Sequence, residues 1–403
     1  MSMQMGYWRS MLEDFRLLLS GNIGVLFLTW ILLNFGHSMV NRFNGIYFSA
    51  LGASDVVLGF MGSLTFGMMA LLQIPGGYLA DTFGRRRIIV IFTTIMAFSM
   101  LIFAFAPSWE YIVIGLIISN VALLYQPALF SIMIDSLPPH RRAEGFAITN
   151  LSMIPGIFAP IIGGFLIFQY GTIEGMRIGY FLLFIFSLIS AVLRFRLKET
   201  VKVKKVNRMK FLESFKVLKE LRDKAKGLII TNMLVSGAGG MIGYFVVKYA
   251  YTYTSSVLYG IAMGLITVFM VFMGIPFGKR ADAGKKEIYY VVGILLLSTS
   301  LIIFIIPSVV ALFSYAILTG LGMALMQPAS QGLIGDYVSI YNRGRYTGVY
   351  LFLSYISAMF LSGAAGYLYR INPIILFSIS ALIYFAAAIL GFLILLRSSH
   401  LEK

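Results

Sequence analysis

Asn34, His37, Ser38, Asn41, Arg42 and Gly45 interrupt an otherwise apolar run, at offsets of 3, 4, 7, 8 and 11 from the first. Those offsets place them on one stripe of a helix. Such groups are costly inside a bilayer, which makes each a functional hypothesis. Arg42 is the strongest candidate: a fixed cation that can hold an anionic group, unless it snorkels toward the interface. His37 can carry a proton near neutral pH, or serve as a hydrogen-bonded packing residue. The corresponding region of the second half carries Asn232, Ser236, Gly239, Gly240 and Gly243, then Tyr244 and Lys248. Asn120, Gln126, Gln327, Gln331 and Tyr355 complete the candidate ligand-contacting set, with helix-to-helix hydrogen bonding or packing the competing role. Arg42 and Lys248 are the full charges expected within the spans, so the cavity should favour an anionic solute. Alternatively, one of them acts as a countercharge for a proton step.

The elements that must position these residues follow from composition. Of the 403 residues, 59% are hydrophobic and only 12% charged. A soluble domain carries about 25% charged residues, so the solvent for most of this chain is lipid. Windows of about 20 apolar residues give twelve spans: 21–50, 56–77, 87–106, 109–134, 143–169, 176–196, 227–252, 257–277, 288–306, 309–335, 346–369 and 373–396. The expected fold is an all-α membrane protein of two six-helix bundles, 1–196 and 226–403, joined by a linker at 197–225. Phe211, Leu212, Phe215, Leu218 and Leu221 make that linker an amphipathic helix on the membrane surface, or a charged tether. Residues 1–19 mix charge with apolar residues and read as a surface helix rather than a cleaved signal.

Charge gives the orientation. In the twelve-span reading, 28 of the 32 Lys and Arg fall on one side, which the positive-inside rule makes cytoplasmic, together with both termini. The net charge of +16 thus marks topology, and no nucleic-acid partner is expected. Cysteine is absent and there are only three His, which removes disulfides, thiolate chemistry and a multi-His metal site. No constellation of nucleophile, base and acid suggests an enzyme, no phosphate-binding G-x-x-x-x-G-K-[ST] loop occurs, and no cofactor is expected.

The halves repeat. Pro75 and Pro276, Gly77 and Gly278, Asp81 and Asp282, and Asp135 and Asp336 are each 201 positions apart, as are Gln126-Pro127-Ala128 and Gln327-Pro328-Ala329. One residue is missing after Asp282, which aligns Gly84 with Gly284 and Arg85 with Lys285. Two parallel six-span repeats place a binding site near the midplane, between the halves.

The loop Gly77-Tyr78-Leu79-Ala80-Asp81-Thr82-Phe83-Gly84-Arg85-Arg86 matches every fixed position of G-x-L-A-D-x-x-G-R-[RK]. It resembles the cytoplasmic loop of the major facilitator superfamily. The resemblance implies an inner gate: Asp81 against the start of the eleventh span near Gly344 to Tyr346, Arg85 with Asp135, Asp282 toward the start of the fifth span, and Lys285 near Asp336. A second stretch, Gly156-Ile157-Phe158-Ala159-Pro160-Ile161-Ile162-Gly163-Gly164, resembles the antiporter motif of the same superfamily, with Ala159 where a glycine is usual. The fourth span lacks the Arg of the R-x-x-Q-G pattern found in many proton-coupled members.

These resemblances imply a secondary active transporter in the plasma membrane, moving a small organic solute by alternating access, and the charges of Arg42 and Lys248 make an anionic or amphipathic solute the expectation. Proton coupling and a monomer are expected, and efflux is favoured on the fifth-span motif. Proton-coupled uptake of a metabolite, or flipping of a lipid on the same scaffold, are the alternatives.

Overall fold

The computed structural model describes residues 20–137, 151–200, 221, 223–339 and 342–396, with the backbone alone of 73–78, 80 and 81. The expected surface helix at 1–19 and most of the amphipathic linker lie outside the described residues.

All regular structure among the described residues is helical. The first span is α1 (Gly21–Asn41) continued, after a one-turn break, by α2 (Asn44–Ala50). The second and third are α3 (Asp55–Phe83) and α4 (Arg85–Ala104). The fourth is α5 (Trp109–Ala122), a 3₁₀ turn at Leu123–Tyr125, and α6 (Gln126–Ser136). Pro127 explains that break: it has no N–H to give the preceding turn and sits instead in the first turn of α6. A 3₁₀ stretch, Leu151–Ile157, leads into α7 (Ala159–Arg194). Together these cover 44 residues, about twice what one crossing needs. They fold back at Gly171, whose φ of 80° suits a residue with no Cβ, so the fifth and sixth spans are both present.

The second half repeats the pattern. The seventh span is α8 (Asp223–Ile242) plus α9 (Phe245–Ala250), broken where the first span is broken. The remainder are α10 (Ser256–Ala283), α11 (Lys286–Phe304), α12 (Val309–Tyr337), α13 (Arg343–Ile371) and α14 (Pro373–Gly391). The chain is therefore an all-α membrane protein of twelve crossings in two bundles. Local bonds repeat as well. Ser54 Oγ caps α3 by accepting from the Val57 N–H, and Ser255 Oγ caps α10 from the Leu258 N–H, both at 3.3 Å. Tyr47 Oη donates to the Phe103 carbonyl and Tyr249 Oη to the Ile305 carbonyl, both at 2.6 Å.

The bundles meet along two equivalent seams, α3 with α13 and α10 with the fifth-span part of α7. At the closest points, contact there is backbone on backbone. A Cβ on Gly59 would lie 2.8 Å from the Gly366 nitrogen, and one on its repeat partner Gly260 would run into the Pro160 carbonyl. At the same end Gly45 lies under the Tyr244 carbonyl, joining the first and seventh spans. Ser256 Oγ donates to the Gly164 carbonyl at 2.7 Å. At the other end, which carries the basic loops, the described residues show no such approach: a Cβ on Gly274, Gly344 or Gly348 would meet no described atom within 4 Å. The bundles thus form a V, closed away from the basic loops.

Candidate functional site

The V encloses two adjoining cavities that share Asn34, His37 and Asn41 of α1. The larger, about 590 Å³, is lined among the described residues by the first six spans alone. Its walls include Trp30, Phe103, Phe130, Met69, Met96 and Met100, with Asn44, Asn120, Gln126 and Tyr125 among its polar atoms. Among the described residues it has no charged lining residue. The smaller, about 400 Å³, lies between α1 and the second bundle. Arg42 faces it together with Tyr259, Tyr315, Tyr384, Ser300 and Thr319, and no carboxylate of a described residue lines it.

The polar stripe of α1 therefore stands between the two lobes. Arg42 follows the last residue of α1 and is exposed within its lobe. Among the described residues no hydrogen bond or ion pair holds its guanidinium. Asn34 Nδ2 donates to Ser152 Oγ at 3.2 Å, tying the stripe to the fifth span. Asn120 donates to the Leu116 carbonyl at 2.8 Å, so its amide is partly spent on its own helix. The glycines of α8 divide their work. Gly237 and Gly240 pack against Leu361 and Ala358 of α13, while Gly239 and Gly243 line the smaller lobe. A side chain at Gly243 would fill space that is now cavity.

Other candidates stand elsewhere. Lys248 lines neither lobe; its ammonium pairs with Asp55 at the start of α3 and lies 5.5 Å from the Tyr369 ring centroid. This ion pair joins the two bundles at the closed end. Tyr244 contributes its carbonyl to the Gly45 contact and its ring packs on Phe48 at 5.6 Å. Gln327 and Gln331 are exposed on α12, and Tyr355 is half-buried on α13; none lines a lobe.

At the basic-loop end, Gly84 turns the chain between α3 and α4 with φ 90°. Gly77 is described only as backbone within α3 and the side chain of Asp81 lies outside what is described, as does the start of the fifth span toward which Asp282 was expected to point. The Arg85 guanidinium pairs with Asp135, and also donates to Thr200 Oγ1 at 3.2 Å. In the second half the expected partner of Asp336 was Lys285. It is Lys286 that makes the bond, at 2.8 Å, and Lys286 also lies 3.8 Å from Asp282. The reason is the turn. Helix α10 ends one residue early relative to α3, and Lys285 fills an extended position before α11, so the offset of 201 is restored at Lys286.

One charge was misplaced by sequence reading. Arg42 and Lys248 were the full charges expected within the spans, and Arg194, near the end of the sixth at 176–196, was passed over. Arg194 is instead the last residue of α7 and has 0% exposure. Its Nε donates to Thr29 Oγ1 at 3.3 Å and its Nη1 to Thr93 Oγ1 at 2.5 Å. Its Cζ lies 5.0 Å from the centroid of Tyr125, whose ring also lines the larger lobe. Nη2 has no hydrogen-bond partner among the described residues. No cluster of metal-ligating side chains occurs among the described residues.

Comparison with known proteins agrees with this architecture. The family model described as Major Facilitator Superfamily matches residues 26–253 and again 228–403. The chain belongs to that superfamily, a family of transporters. It is 24% identical over 373 residues to an uncharacterized MFS-type transporter of Methanocaldococcus jannaschii, covering 86% of this chain and 93% of that one. It is 26% identical over 147 residues to the quinolone resistance protein NorA of Staphylococcus aureus, covering 36% of this chain and 38% of that protein. Among solved structures, a bacterial homologue of the human lysosomal transporter Spinster, in an inward-facing and unoccupied conformation, superposes with a TM-score of 0.73. The identity is 16%, over 92% of this chain and 96% of that one.

Proposed function

We propose that the chain is a proton-coupled secondary active transporter of the plasma membrane that carries a small organic anion by alternating access, with export the favoured direction. The observation that carries this reading is Arg42: a guanidinium with no counterion among the described residues, open to a lobe that both bundles line and that no described carboxylate enters. A cation in a low-dielectric cavity attracts an anion far more strongly than the same cation does in water. Rocking of the bundles about the site would then expose it to either side in turn.

His37 is the candidate proton carrier. It lines both lobes and makes no hydrogen bond to a described residue. Its charge would compete with or assist the anion at Arg42, which couples the two ligands through one site. Export is favoured because the fifth-span motif, with Pro160 and Gly164 on the seam, resembles that of antiporters, and because the partial likeness to NorA is to a drug-resistance protein. With the basic loops cytoplasmic, the structure would be the inward-facing state of a monomer.

The test is transport in proteoliposomes holding the purified protein, with an imposed pH gradient and a panel of labelled organic anions, cations and neutral solutes. Anion flux that follows the gradient and is lost in Arg42→Ala is expected. Equal flux of cations, or anion flux unaffected by Arg42→Ala, would sink the reading.

A further inference from the structure

We infer that the solute is bipartite: an organic anion whose head sits at Arg42 in the smaller lobe and whose apolar body lies along α1 in the larger one. The inference rests on the reading above that this cavity is the transport site.

The two lobes differ in chemistry in a way one compact solute cannot use. The smaller offers Arg42 with the phenols of Tyr259, Tyr315 and Tyr384. The larger has no charged residue among its described lining and brings together Met69, Met96, Met100, Met133 and Met153. Methionine walls are soft and polarizable and adapt to differently shaped apolar groups. A small hydrophilic anion would gain nothing from them, and an apolar cation would be repelled at Arg42. An amphipathic anion uses both lobes.

Dimensions agree. The larger lobe runs along α1 from Trp30 to Asn41, about 16 Å at helical rise. Its volume of about 590 Å³ falls in the range of small-molecule sites. The amides of Asn34 and Asn41 border both lobes, so the boundary suits the linkage between head and body. The split also assigns motion. The larger lobe belongs to one bundle, so the body should travel with it, while the head is held between that bundle and the other.

The experiment uses the purified full-length protein in nanodiscs and a probe with a carboxylate at one end and a nitrophenyl group at the other, joined by several methylenes. Nitrophenyl groups quench tryptophan fluorescence. The carboxylate probe should bind, quench, and lose its quenching of the lobe in Trp30→Phe while still competing with unlabelled ligand. Arg42→Gln should weaken binding by about ten- to a hundred-fold, the range for losing one charge-assisted contact, and Arg42→Lys should keep most of it at an unchanged melting temperature. Met100→Gln should weaken the long probe and leave a short-chain carboxylate unaffected. An amine-ended twin that binds equally well overturns the anionic head. Binding that depends on Arg42 without any Trp30 quenching overturns the placement of the body. Flux of the same probe into proteoliposomes separates this inference from the transport reading. Binding without flux sinks transport and keeps the bipartite site; flux of compact anions without binding of the long probe does the reverse.

Discussion

Arg194 carries a full charge into an interior that gives it two hydroxyls and a ring face but no carboxylate among the described residues. Desolvating a guanidinium costs several kcal/mol, and a single stacking contact returns about 2. The threonines do not depend on it: Thr29 Oγ1 also donates to the Leu26 carbonyl at 3.1 Å and Thr93 Oγ1 to the Ile89 carbonyl at 2.6 Å. The second bundle fills the equivalent place with Leu395, also at 0% exposure, and a hydroxyl contact between Thr231 and Tyr290 at 3.2 Å. Arg194→Met should therefore stabilise the protein by about 1–4 kcal/mol, read as a higher melting temperature in detergent. A lower one would mean that stacking on Tyr125 outweighs desolvation. The residue escaped sequence reading because it opens a run of basic residues that continues through Lys226, and hydropathy alone does not say on which side of a helix end such a run begins. Lys248 and Asp55 escaped for another reason: they are 193 positions apart and no local spacing links them.

Among the elements, α3, α10 and the turns after them were the most legible. Their glycines, prolines and acids recur at a fixed offset, and a repeated backbone needs the same small residues at the same close approaches. The missing residue beside Gly284 was visible too, but not which side of the turn absorbs it. Since Lys286 holds Asp336, Lys286→Ala should impair transport several-fold more than Lys285→Ala, measured as initial rates at matched reconstitution. Equal effects would mean that loop charge matters rather than the pair. The seam makes a second prediction. Gly260→Val places methyl groups against the Pro160 carbonyl, so the closed end should no longer close. The absence of cysteine lets spin labels be added on α2 and α9 without background. Distances across the closed end should lengthen in the variant, and an unchanged distribution would show that the seam yields. Asp55→Asn, which removes the anionic partner of Lys248, should shift the same distances in the same direction by a smaller population.

For the whole molecule, twelve crossings and two bundles could be read from apolar windows and charge segregation, because bilayer thickness fixes the length of every span. The lobes could not. A cavity is set by which faces of distant helices turn toward each other, and the stripe from Asn34 to Arg42 says only which face of α1 is polar. The topology itself is open to test. A cysteine at Ser339 should react with an impermeant maleimide only from the cytoplasmic side, and one at Thr252 only from outside; the reverse pattern would invert the orientation. The seam has a thermal consequence. At Gly45, Gly59 and Gly260 the bundles touch through peptide groups, so few rotamers freeze when they close. Parting them wets those peptide groups, which lowers heat capacity, together with the Phe43–Tyr259 and Phe48–Tyr244 ring pairs, which raises it. The two contributions oppose, so the equilibrium between open and closed ends should vary with temperature along a nearly straight van't Hoff line whose slope is a single enthalpy.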